Sequence, residues 1–105
     1  MSEFIIVFST FPNFEQAKKA ADSILLRKVA ACCNIVNEIN SIFWWQNKIE
    51  ETEEVLLMAK TKMSLFENLK SVIRDNHSYD VPEIIAIPIV AGYDEYLNWI
   101  DESVC

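Results

Sequence analysis

Glycine is almost missing: the 105 residues hold one, Gly92. Loops that cradle phosphate need several glycines so that backbone N–H groups can approach the ligand, so neither a P-loop nor a dinucleotide fingerprint can be written here. Histidine is equally scarce, with His77 alone. Three cysteines, two of them adjacent as Cys32 and Cys33 and the third at Cys105, form no even-numbered disulfide framework and agree with a reducing compartment. Basic residues are outnumbered, 9 against 16 acidic, for a net charge of -7. That balance repels phosphate backbones and anionic lipid, which argues against nucleic acid and membrane surfaces as partners. The opening "MSEFIIVFST" has no basic-then-apolar leader pattern, and its apolar run has the length of a strand, so a cytoplasmic protein is expected.

What is abundant is hydrophobic, at 51% of the chain, enough to fill the core of one domain spanning residues 1–105. Phe4 to Phe8 reads as a short buried strand. Asn13 followed by Gln16 has capping-box spacing, and Phe14, Ala17, Ala20, Ala21, Ile24 and Leu25 share one helical face, predicting a helix over 14–28. Residues 31–45 are rich in β-branched and aromatic side chains and read as a strand with a bend at Asn37–Glu38, although Ile35, Ile39, Ile42 and Phe43 also fit helical spacing. "WWQNKI" reads as a hairpin tip with Asn47 in the left-handed conformation, and the returning strand runs through "IEETEEVLLMAKT". Ser64 and Glu67 have the spacing of a second capping box ahead of the amphipathic stripe Leu65, Phe66, Leu69, Val72 and Ile73. A last strand is expected over 83–90, at a sheet edge because Pro88 cannot donate to a ladder, followed by a helix capped by Asp94 and carrying Tyr96, Leu97, Trp99 and Ile100.

The order β-α-β-β-α-β, then α, with right-handed crossovers, predicts an α+β ferredoxin-like plait: a four-stranded antiparallel sheet with both long helices on one face and a long hairpin between its second and third strands. The predicted first helix is about 22 Å long by helical rise. The predicted second strand is about 45 Å by strand rise. The hairpin must project past the helices, carrying Ile42, Phe43, Trp44, Trp45 and Ile49, and a bare apolar ribbon of this kind implies a closed homo-oligomer.

These segments resemble the CutA family of divalent-cation tolerance proteins over nearly the whole chain. "AACCN" at 30–34 is similar to the family's A-A-C-x-N, "SIFWWQNKIEE" to its S-x-Y-x-W-x-G-K-x-E, "AKT" at 59–61 to its K-T step, "HSYDVPEI" to its H-P-Y-E-x-P-E-I, and "GYDEYLNWI" to its G-x-x-x-Y-x-x-W. The resemblance implies a homotrimer with hairpins wrapping neighbours, a role in copper or other divalent-cation tolerance, and a likeness to trimeric PII signalling proteins. Three departures stand out: Asn47 replaces a usual glycine, Ser78 a proline and Asp80 a glutamate. Where some members offer copper a cysteine at the end of the first strand and a pair of histidines, this chain has Ser9, Asn76 and His77.

The chemistry weighed on these residues is modest. Copper or zinc wants three or four thiolate or imidazole ligands, and one subunit offers His77 as its metal candidate; Cys32 and Cys33, adjacent on a strand, should point to opposite faces. The bland reading of His77 is a hydrogen-bonded turn histidine beside an intersubunit cleft. Glu50, Glu51, Glu53 and Glu54 read as a solvated face that attracts cations weakly. No nucleophile or oxyanion hole accompanies His77, so a non-enzymatic protein is expected. Tyr79, Glu83 and Lys60 are the candidates for a small-ligand cleft, Lys60 supplying a cation beside carboxylates. The alternative function is a PII-like signalling or scaffold protein that binds a metabolite or a protein partner there.

Overall fold

The computed structural model describes residues 3–105. Its elements are β1 (Phe4–Phe11), α1 (Phe14–Leu26), β2 (Cys32–Trp45), β3 (Lys48–Lys62), a 3-10 turn (Met63–Leu65), α2 (Phe66–Asp75), β4 (Ile85–Pro88) and α3 (Asp94–Ser103). The four strands form one antiparallel sheet in the order β2-β3-β1-β4. This is the plait expected from the element order, and Pro88 does lie on an edge strand.

Alternation along β1 and β3 builds the core. Ile5, Val7, Ser9 and Phe11 are buried on one face, as are Val55, Leu57, Ala59 and Thr61 beside them. Against that face lie Ala17, Ala20, Ala21 and Ile24 of α1 and Leu69, Val72 and Ile73 of α2. Alanines on α1 let the helix backbone approach the sheet closely. On the other face, Lys62 pairs with Asp101 at 2.7 Å and Lys60 lies 5.8 Å above the Tyr96 ring, which docks α3 at that end.

Several helix ends differ from expectation. Asn13 Oδ1 accepts from the Gln16 N–H at 2.9 Å, but the Gln16 side chain accepts from Ser78 Oγ at 3.0 Å, tying α1 to the loop after α2. Ser64 does not cap: Met63–Leu65 tighten into a 3-10 turn, α2 starts at Phe66, and Glu67 pairs instead with Lys70 at 2.8 Å. Asp94 is the first residue of α3, with Tyr93 in the cap position and no side-chain cap bond. There its charge meets the positive end of the helix dipole directly. The last strand contracts to Ile85–Pro88, because Glu83 belongs to the preceding loop and Pro88 ends the regular ladder.

Scarce glycine leaves a mark. Among the described residues, those at positive φ are Lys28 (57°), Glu38 (59°), Gln46 (50°) and Asn47 (65°), with no glycine among them. Gln46 and Asn47 form the two-residue turn between paired Trp45 and Lys48, where both central residues of a type I′ turn need left-handed backbone. Lys28 ends α1 in a Schellman arrangement: its N–H reaches Leu25 O at 3.1 Å and the Val29 N–H reaches Ile24 O at 3.3 Å. A side chain there costs about 1 kcal/mol relative to glycine. Lys28→Gly is therefore expected to raise unfolding stability by about 0.5–1 kcal/mol, read from the denaturant midpoint at unchanged slope. An unchanged or lower midpoint would show that the lysine side chain contributes something that offsets the strain.

Candidate functional site

The loop from Asn76 to Ile84 returns across the end of β1, anchored by Asn76, His77 and Tyr79 as well as by the Ser78 bond to Gln16. Asn76 ends α2 and donates from Nδ2 to Val72 O at 2.9 Å. His77 stacks on Phe11, ring centroids 4.2 Å apart and 18° from parallel. Its Nδ1 accepts from the Tyr79 N–H at 3.2 Å, so the proton sits on Nε2, which donates to Thr10 O at 2.7 Å. Tyr79 packs at 4.7 Å from the His77 ring and donates its hydroxyl to Glu54 Oε2 at 2.6 Å. Burial, with the Glu54 carboxylate beside it, pushes the Tyr79 phenol above its ordinary range.

Glu54 is the residue that sequence reading missed. It is 6% exposed, not part of a solvated acidic face. Position in the run "EETEEV" gives no sign of this; it is buried because Tyr79, 25 residues on, returns to cover it. Glu38 and Glu53 line a cleft of about 350 Å³ with Glu54, together with Pro12, Asn13, Phe14, Asn37 and Val55.

The other candidates lie elsewhere. Lys60 donates to Asn34 Oδ1 at 2.8 Å, and Cys32 Sγ meets the same oxygen at 3.7 Å. Six residues along β3 separate Lys60 from Glu54, about 20 Å by strand rise, so one subunit does not bring Lys60 to Tyr79. Glu83 and Asp80 are exposed in the loop. Ser9 is fully buried and its Oγ has no protein partner. All three cysteines are free thiols. Cys33 packs against the core and its thiol is pushed up to about 12, chiefly by burial and then by Cys32 and Asp22; Cys32 sits on the opposite face, as strand alternation requires. Among the described residues no three His, Cys, Asp or Glu side chains converge to hold a metal.

Beyond the sheet core, the arm of the hairpin carries an apolar patch. Ile42, Trp44 and Ile49 are 66, 71 and 64% exposed, and Trp44 faces Ile49 across the ladder.

His77 burial lowers its pKa below the ordinary 6.5, outweighing the Thr10 carbonyl and the Glu54 charge that act to raise it. The folded state therefore favours the neutral ring. Stability from this group is complete above pH 6.5 and is lost as pH falls through that value toward the folded pKa. Chemical unfolding at pH 7.5 and 5.5 should show a larger drop for the natural chain than for His77→Gln; equal drops would contradict the assignment.

Comparison with known proteins adds the following. Residues 5–103 match the family model described as CutA1 divalent ion tolerance protein. The chloroplastic CutA protein of Arabidopsis thaliana is 48% identical over 99 residues, covering 94% of this chain and 54% of the plant protein. The chain thus spans about half the length of that relative. The divalent-cation tolerance protein CutA of Archaeoglobus fulgidus is 42% identical over 98 residues, covering 93% of this chain and 95% of its own. The crystal structure of CutA1 from Oryza sativa superimposes with a TM-score of 0.95 at 44% identity, covering 99% of this chain and 95% of that one.

Proposed function

The chain belongs to the CutA1 divalent ion tolerance family, and from that membership we propose that it serves in divalent-cation tolerance as a closed homotrimer whose cation or small-ligand site is completed between subunits. The exposed patch Ile42, Trp44 and Ile49 carries this reading, because a contiguous apolar surface on a projecting arm is stable in water only when covered. A sister copy suits it, since each copy also presents the open outer edge of β2 along the same arm.

A site between subunits also accounts for the separation of Lys60 from Tyr79 within one chain. A neighbour supplies what a single subunit keeps apart. Copper or another divalent cation would draw on the exposed carboxylates of the arm, Glu50, Glu51 and Glu53, and on Glu83 of the loop. His77 joins such a set only by giving up one of its two internal hydrogen bonds, so cation binding there competes with loop anchoring. We assign no catalytic role, since both ring nitrogens serve the fold and no nucleophile stands beside them. The free thiols favour a reducing compartment, and we place the protein in the cytoplasm. No observation favours the PII-like signalling alternative over this reading.

Size-exclusion chromatography with light scattering is expected to give three times the 12.1 kDa subunit mass for the natural chain and a single-subunit mass for Trp44→Ser. Titration calorimetry with Cu²⁺ and with Zn²⁺ should detect binding by the former and little by the latter. A natural chain that runs as one subunit, or equal cation binding by both proteins, would overturn the intersubunit site.

A further inference from the structure

The ladder between β2 and β3 breaks at one place. Val36 pairs with Leu56 and Ile39 with Glu54, so Asn37 and Glu38 together stand opposite Val55. Glu38 takes left-handed backbone at φ 59°, a conformation a glutamate does not choose for itself. The position of this bulge is specific. Val55 is also the last residue of β3 that β1 supports, through Phe11, so the extra residue falls where the four-stranded sheet ends and the two-stranded arm begins. A bulge bends its strand and increases the local twist. Here, that bend is applied to the one segment with no third strand to hold its direction. The bulge also walls the cleft shared with Pro12, Asn13 and Phe14, so the arm leaves the sheet beside the start of α1.

We infer that the Asn37–Glu38 bulge is the positioning element for self-association, setting the direction in which the arm presents Ile42, Trp44 and Ile49 to a second copy of the chain. The inference rests on the homotrimer reading and deepens it. It separates direction from surface: the apolar patch supplies the contact, and the bend brings it to the partner's surface.

Removal of Glu38 isolates the effect. Asn37 then faces Val55 one to one, Val36 keeps Leu56, Ile39 keeps Glu54, and no side chain of the arm changes face. Only the bend is lost. The deletion variant should keep natural far-UV circular dichroism and an unfolding midpoint, measured on the separated subunit, no lower than that of Trp44→Ser. Its subunits should nonetheless associate at least about tenfold more weakly, because the arm is no longer preorganised toward its partner. Glu38→Gly, which accepts left-handed backbone freely, should associate like the natural chain. Glu38→Val, which resists it, should weaken association in the same direction as the deletion, and decides the matter if the deletion fails to fold.

Light scattering over a dilution series reads all four proteins. Natural association in the deletion and valine variants would overturn the inference and leave the trimer standing. Loss of association in the glycine variant would also overturn it, by moving the effect from the bend to the Glu38 side chain. A natural chain that never associates would overturn the trimer reading itself, and this inference with it.

Discussion

Two strands of this sheet are far longer than the strand that backs them. β1 pairs with β3 only from Val55 to Lys62, and the remainder of β3, from Lys48 to Glu54, has β2 as its sole neighbour. An isolated two-stranded ribbon is marginally stable in water even when polar. This one carries two tryptophans, a phenylalanine and three isoleucines. Acidic residues along β3 keep the ribbon soluble, but they leave the Ile42, Trp44 and Ile49 patch uncovered. The rest of the molecule follows from that imbalance: a small core of β1, α1 and α2 holds one end of a hairpin whose other end stands exposed, which is the ground for the proposed sister copy. The 44 Å long axis of the subunit, nearly twice its shortest dimension of 23 Å, is the same fact seen as shape.

At the junction of core and arm, several features converge. The bulge at Asn37–Glu38, the Tyr79 hydroxyl on buried Glu54, the His77 ring on Phe11 and the start of α1 all lie where the supported sheet gives way to the arm. The network spends the single histidine of the chain on fixing a loop. With one ring nitrogen donating to Thr10 and the other accepting from Tyr79, His77 works as a structural clamp in this conformation. That arrangement draws Glu54 out of the acidic run and makes it part of the junction.

Much of the architecture was legible because it depends on periodicity. Short apolar runs marked β1 and the second half of β3, the Leu65 to Ile73 stripe marked α2, and Pro88 marked an edge strand. β2 read as a strand bent at Asn37–Glu38, and the ladder breaks between Val36 and Ile39. What failed was local and competitive. Ser64 had the right spacing for a cap, but a 3-10 turn moved the start of α2 past it; Gln16 had the right spacing for a reciprocal cap, but Ser78 took its side chain. The burial of Glu54 and the separation of Lys60 from Tyr79 were illegible for a deeper reason. Both depend on where a loop of nine residues returns in space, and no local pattern encodes that path.

The central claim is that the arm is covered by sister copies in solution, and amide hydrogen exchange of Ile39 to Trp45 tests it most directly. In an antiparallel edge strand, alternate amides point away from the ladder, and in a lone subunit these exchange freely. The account predicts that the outward amides of this segment are protected in concentrated solution and lose protection on dilution, while those of β1 do not change. Fast exchange of the outward amides at every concentration would contradict it.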